Sequence, residues 1–174
     1  MPPRDGGFRN AYLPSLLDRL QDDAPQQRSE PAEAYAPDER GMRRIIQRDL
    51  GLLLNTTNLN EELDAEAYPE VANSVVNYGI PPLSGGFATE MTWERLEERV
   101  RTAIARFEPR LIPDTVRLRP LRDTSARRYN KMMFEIEALM QWTPYPLEFR
   151  IQSVFDLELS KVSLQSGHTP GSAG

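Results

Sequence analysis

The chain has no cysteine, a single histidine, only two lysines and no long apolar run. Without cysteine there are neither disulfides nor thiolate metal sites, a composition that fits an intracellular protein. The one histidine, His168, lies in "QSGHTPGSAG" (165–174), which reads as a disordered tail. A zinc cluster, a Ser-His pair or a Cys-His pair therefore cannot be assembled in the folded part. No stretch approaches the roughly 18 apolar residues of a transmembrane helix. The first residues, "MPPRDGGFRN", lack the apolar core of a secretory signal. "SGG" at 84–86 is far from any phosphate-binding fingerprint and reads as a turn. No cofactor and no metal are expected.

The scarcity of lysine has a second side. Lys131 and Lys161 are the only lysines, so 19 of the 21 basic residues are arginine. Coding bias in a GC-rich genome explains this. So does a need for planar guanidinium forks in buried or interfacial ion pairs. Both explanations stay open at this point.

What is present bounds the fold. With 174 residues, 39% of them hydrophobic, the chain suits one domain with extended ends. The net charge of −5 argues against a nucleic-acid binder. "AYLPSLLDRLQDD" (11–23) carries a short stripe of leucines at helical spacing and predicts a small amphipathic helix. "APQQRSEPAEAYAPDE" (24–39) is rich in proline, alanine and acid, the composition of an exposed linker. Residues 1–39 thus read as a tethered helix and linker, 40–164 as the folded domain and 165–174 as the tail.

Three helical patterns open the domain. Residues 40–58 place Met42, Ile45, Ile46, Leu50 and Leu53 on one face, and "NTTN" ends the run. The cluster Arg40, Arg43, Arg44 and Arg48 reads as a solvated face, with the acidic stretch 61–70 as a candidate partner. In 68–86, Pro69 suits a first turn, Val71, Val75 and Tyr78 share a face, and Gly79 stands where a helix cap is expected. Residues 92–111 place Trp93, Leu96, Val100, Ile104 and Phe107 in a stripe, with Thr92 as a candidate cap. Pro109 disfavours the α conformation at residue 108 and should stop this helix.

Period-two alternation follows and predicts three strands, at 115–120, 130–142 and 147–160, with "TPYP" turning between the last two. Helices followed by strands make the class α+β. Several helices should pack on one face of a small, mostly antiparallel sheet of about three strands, with the N-terminal helix tethered. Such a sheet leaves two edges with unpaired backbone groups.

One spot combines charge with an abrupt change of structure. In "RFEPRLIP" (106–113), Glu108, Pro109 and Arg110 follow one another where the long helix ends. A carboxylate there opposes the partial negative charge of a helix C-terminus, so some compensation is expected. If the segment is extended, Glu108 and Arg110 project to the same side. A glycoside hydrolase would need two carboxylates, one of them a general acid. A neighbouring guanidinium favours the ionised carboxylate, the opposite of what an acid needs. No second carboxylate is assignable, because Glu135, Glu137, Asp156 and Glu158 fall mainly on the wet face of their strands. No catalytic residue is assigned. The motif is then either a local surface ion pair or a docking handle.

Several segments in order carry a family resemblance. They are "LPSLLDRL" (13–20), "RDLGLLLNT" (48–56), "YPEVANSVVNYGIPPLSG" (68–85), "FEPRL" (107–111) and "FEIEALMQWTPYPLEFRIQSVFDLELSKVSL" (134–164). Together they resemble the TssE family of type VI secretion baseplate subunits, which is related to the small baseplate wedge protein of contractile-tailed phages. The resemblance implies a structural, non-enzymatic baseplate component in the cytoplasm, at a baseplate docked on the inner membrane. It implies partner contacts through Glu108, Pro109 and Arg110 with wedge subunits of the TssF, TssG and TssK type. It also implies that a sheet edge accepts strands from sheath subunits of the TssB/TssC type. Neither nucleic acid nor direct membrane insertion is implied. Two departures stand out: Gly51-Leu52 where many relatives have Glu-Trp, and Leu159-Ser160 where many have a Thr-Gly turn.

Overall fold

The computed structural model describes residues 37–82, 93–121 and 131–165, together with Asp18, Leu20 and Gln26. The readings for residues 1–10, 84–86 and 166–174, for Thr92 and for most of 11–36 lie outside these. Asp18 and Leu20 are helical, as the leucine stripe predicts.

Helix α1 spans Glu39–Leu54. Asp38 caps it by accepting the Gly41 N–H at 2.6 Å, and Glu39 adds negative charge at the positive end of the helix dipole. Met42, Ile46, Leu50, Leu53 and Leu54 are buried. The arginines do not turn to the acidic stretch 61–70: Arg43 pairs with Glu39 at 2.8 Å, and Arg48 with Asp49 and Asp18. Arg43 finds its partner one turn back on its own helix, a pair that needs no further chain ordering.

The predicted helix near 70 is two short pieces, α2 at Pro69–Ala72 and a 3-10 turn at Val75–Asn77. Val71 and Val75 do not share a buried face; Val75 is 79% exposed. The break has a local cause. Asn73 Nδ2 donates to Pro69 O at 2.8 Å and Ser74 Oγ to Val71 O at 2.9 Å, so side chains compete with the helical ladder. Gly79 stands at the expected place after the turn, with φ 119. Its necessity comes from outside the turn: a Cβ there would lie 2.2 Å from Thr56 O, because Ile80 N–H bonds Thr56 O at 2.9 Å.

Helix α3 spans Trp93–Phe107 and buries Leu96, Val100, Ala103 and Ile104. A 3-10 turn at Pro113–Thr115 leads into a four-stranded antiparallel meander: β1 Arg117–Pro120, β2 Lys131–Met140, β3 Leu147–Asp156 and β4 Lys161–Gln165. Helix α1 packs on β4 and on α3, and α3 on β1. Phe134, Ile136, Met140 and Phe155 meet Ile46, Leu50, Leu96 and Ile104 in the single core.

The fourth strand corrects the expected three. Alternation continues through "DLELS", but the chain turns there. Asp156 Oδ1 accepts the N–H of Glu158 and of Leu159 at 3.1 Å, Ser160 adopts φ 51, and Leu159 is left 67% exposed. An aspartate that folds back on the amides two and three residues ahead makes a turn regardless of apolar periodicity. The departure at Leu159-Ser160 therefore sits in the β3–β4 turn itself.

Helix α1 also closes one sheet edge. Asn55, just past the helix, donates from Nδ2 to Val162 O and accepts from Val162 N–H on Oδ1, both at 2.9 Å. Its amide imitates one residue of a fifth strand on the outer side of β4. Edge β1 is blunted differently, by ending on Pro120, which has no N–H to offer.

Two outcomes follow. Asn55→Ala should cost about 1–2 kcal/mol in chemical denaturation and raise the exchange rate of the Val162 amide. Asp156 is held below the usual carboxylate range, first by its bond with Lys131 and then by the Leu159 N–H. A depressed folded-state pKa stabilises above the unfolded value and is lost as pH falls through the folded one. Asp156→Asn, which can keep the turn bonds, should therefore show a shallower loss of stability than the parent in acid titrations below about pH 4.

Candidate functional site

Glu108 is the first residue beyond α3. Its N–H still bonds Ile104 O at 2.9 Å, but Pro109 follows and the helix stops as the sequence predicts. The chain then reverses and is stitched to the far end of β2. Gln141 N–H donates to Arg110 O at 2.7 Å, Ile112 N–H to Leu139 O at 2.8 Å, and Gln141 Nε2 to Pro109 O at 3.0 Å. Leu111 is fully buried between these bonds and bridges Met140. The corner is thus an extension of the sheet rather than a free loop.

Charge compensates the misplaced carboxylate, as expected, and more fully than a surface pair would. Arg110 Nε reaches Glu108 Oε1 at 2.6 Å and its Nη2 reaches Oε2 at 2.5 Å, a two-point fork. The Arg110 backbone N–H adds a third bond to Oε1 at 3.2 Å. Glu108 is only 2% exposed, so the reading as an ordinary surface pair does not hold.

The network extends across the molecule. Arg110 Nη2 also donates to Asp49 Oδ2 at 2.6 Å, bridging 61 residues of sequence. The other oxygen of Asp49 takes Nε and Nη2 of Arg48 at 2.9 and 2.7 Å. Arg48 in turn holds the carboxylate of Asp18. Charges of alternating sign therefore run Asp18, Arg48, Asp49, Arg110, Glu108, joining the N-terminal segment, α1 and the corner.

Titration reflects the wiring. Burial opposes the charge on Arg110, yet its bonds with Glu108 and then Asp49 outweigh this and raise its pKa. Arg48 is raised by its bonds to Asp18 and Asp49. Tyr78, whose hydroxyl lies 3.5 Å from Asp49 O, is raised by burial and then by the negative charge of Asp49 and Glu108.

Glu108 and Arg110 are brought together as the sequence reading expects, and Pro109 is exposed at the tip between them. The sequence reading missed Asp49. Its signal was faint: an Arg-Asp pair flanking the buried face of α1, beside Leu50. Gly51 sits against Leu164, with 3.7 Å between a notional Cβ and Leu164 Cδ1, and Leu52 is 54% exposed. Among the described residues no group of three or more His, Asp or Glu side chains is placed to hold a metal ion.

A family model described as "Baseplate wedge protein gp25" matches residues 40–145, well over half of the chain. That span runs from α1 to the turn before β3 and includes the whole corner. No curated protein and no solved structure matches the chain.

The corner geometry sets a stability prediction. Glu108→Ala leaves the Arg110 fork facing a void with only Asp49 to pair, and should cost about 3 kcal/mol in urea unfolding. Asp49→Asn, which leaves the Glu108–Arg110 fork intact, should cost no more than about 1–2 kcal/mol.

Proposed function

This chain belongs to the gp25 baseplate wedge family, and on that premise we propose that it is a structural subunit of a type VI secretion baseplate, acting without catalysis. Family membership carries a baseplate role in contractile, phage-like injection machines. The finer reading is that the corner Glu108-Pro109-Arg110 joins the wedge, through subunits of the TssF, TssG and TssK type. A sheet edge then templates the contractile sheath of TssB/TssC type. The baseplate would stand in the cytoplasm against the inner membrane.

The observation that carries this reading is the locked corner. Both oxygens of Glu108 are engaged by Arg110, and the carboxylate has almost no solvent access. A general acid needs a free proton and a path to its substrate. A docking corner needs a fixed shape with an exposed tip, and Pro109 on a charged brace supplies both. Rigid presentation lowers the ordering cost of association. The reading as a peptidoglycan hydrolase draws on no comparable feature.

The sheath role draws on the meander. An antiparallel sheet of four strands has two edge strands, and strand addition is a general recognition mode. Asn55 occupies part of the β4 edge and Pro120 shortens the β1 edge. Both devices restrain indiscriminate pairing, as a subunit waiting for one partner requires. No helix among the described residues is long and apolar enough to cross a membrane.

The test leaves the brace untouched. Pro109→Glu, at the exposed tip, should keep the parent's circular dichroism at 25 °C yet abolish co-purification of the wedge subunits. Normal wedge assembly by this variant would remove the corner as the contact.

A further inference from the structure

The corner has a geometric consequence beyond its own tip. By reversing the chain after α3, it lays Pro113–Arg117 alongside the last two turns of that helix. Between them opens a cleft of about 570 Å³, lined by Arg101, Thr102, Ala105, Arg106, Pro113, Asp114 and Arg117. Arg101, Thr102, Ala105 and Arg106 stand at helical spacing on one face of α3.

Three arginines thus line one cleft in a chain whose net charge is −5. Two of them are fixed from behind. Arg106 Nη1 donates to Ala72 O at 3.0 Å, and Arg117 Nη1 donates to Asp114 O and Val116 O at 3.1 Å. The Arg106 guanidinium also lies over the Phe107 ring, 5.9 Å from its centroid. The Arg101 side chain makes no hydrogen bond or ion pair with another described residue. Three like charges around one concavity repel, and a bound anion relieves that repulsion.

We propose that this cleft binds an extended acidic segment of a partner protein, its carboxylates held by Arg101, Arg106 and Arg117. Fork geometry matches carboxylates two oxygens at a time. Thr102, Ala105 and Pro113 also line the cleft, which suits a peptide whose acids alternate with small apolar side chains. Asp114 and the overall charge oppose a nucleic acid. In the baseplate reading the segment belongs to a neighbouring subunit, and the inference rests on that reading only for where the segment comes from.

The test uses the full chain and a fluorescent peptide, Glu-Val-Glu-Ala-Glu-Val-Glu-Ala, followed by anisotropy at low salt. The matching Gln peptide and an eight-residue oligo-dT are the controls. The acidic peptide should bind, the Gln peptide about tenfold more weakly or worse, and oligo-dT more weakly than the acidic peptide. Arg101→Glu, on the exposed face of α3, and the milder pair Arg101→Ala with Arg117→Ala should each weaken binding about tenfold or more with unchanged melting temperature. Absence of acidic-peptide binding, equal binding of the Gln peptide, tighter binding of oligo-dT, or parental affinity in Arg101→Glu would overturn the proposal. Pro109→Glu should bind the peptide normally. Loss of the wedge contact and loss of the cleft therefore read out separately.

Discussion

A buried carboxylate at the wrong end of a helix governs this structure. Glu108 meets the negative end of the α3 dipole and is nearly sealed from water, and either condition alone is unfavourable. The Arg110 fork answers both, from two residues away, because Pro109 turns the chain back on itself. Asp49 then ties the same guanidinium to α1. Losing Glu108 leaves Arg110 with Asp49 alone, whereas losing Asp49 leaves the Glu108 fork in place, so Glu108 and Arg110 form the tighter part of the network. Such a network fixes a conformation more than it adds net stability.

Much of the remaining architecture takes its position from that network. The corner sets the angle at which α3 hands over to the sheet, and its backbone bonds to Leu139 and Gln141 make it continuous with β2. The same reversal creates the arginine-lined cleft between α3 and the approach to β1. At the opposite side of the sheet, Asn55 at the end of α1 closes part of β4. One face of the protein is therefore a rigid charged corner with a basic cleft, and both sheet edges are partly guarded. These features agree with membership in a baseplate wedge family.

The abundance of arginine now has a structural sense alongside any coding bias. Arg48 and Arg110 each serve two carboxylates at once, which the compact ammonium of lysine does poorly. The long periodic stretches were legible in the sequence: α1, α3, β2 and the first part of β3 lie where 3.6- and 2-residue spacing put them, and Pro109 stops α3 as expected. What escaped the pattern was decided by side chains bonding to nearby backbone. Asp156 turned an apparent strand into a hairpin and exposed Leu159. Asn73 and Ser74 broke a helix in two. The Glu-Pro-Arg motif was visible, but its burial was not, since Asp49 lies 61 residues away and no local spacing announces it.

The central claim is that the corner after α3 is a preformed contact surface. Amide hydrogen exchange of the chain, alone and with purified wedge subunits, tests it most directly. The account predicts that Arg110, Ile112 and Gln141 are already protected in the isolated chain, and that binding adds protection across 101–117. Rapid exchange at those three amides before binding, or new protection confined to other segments, would contradict it.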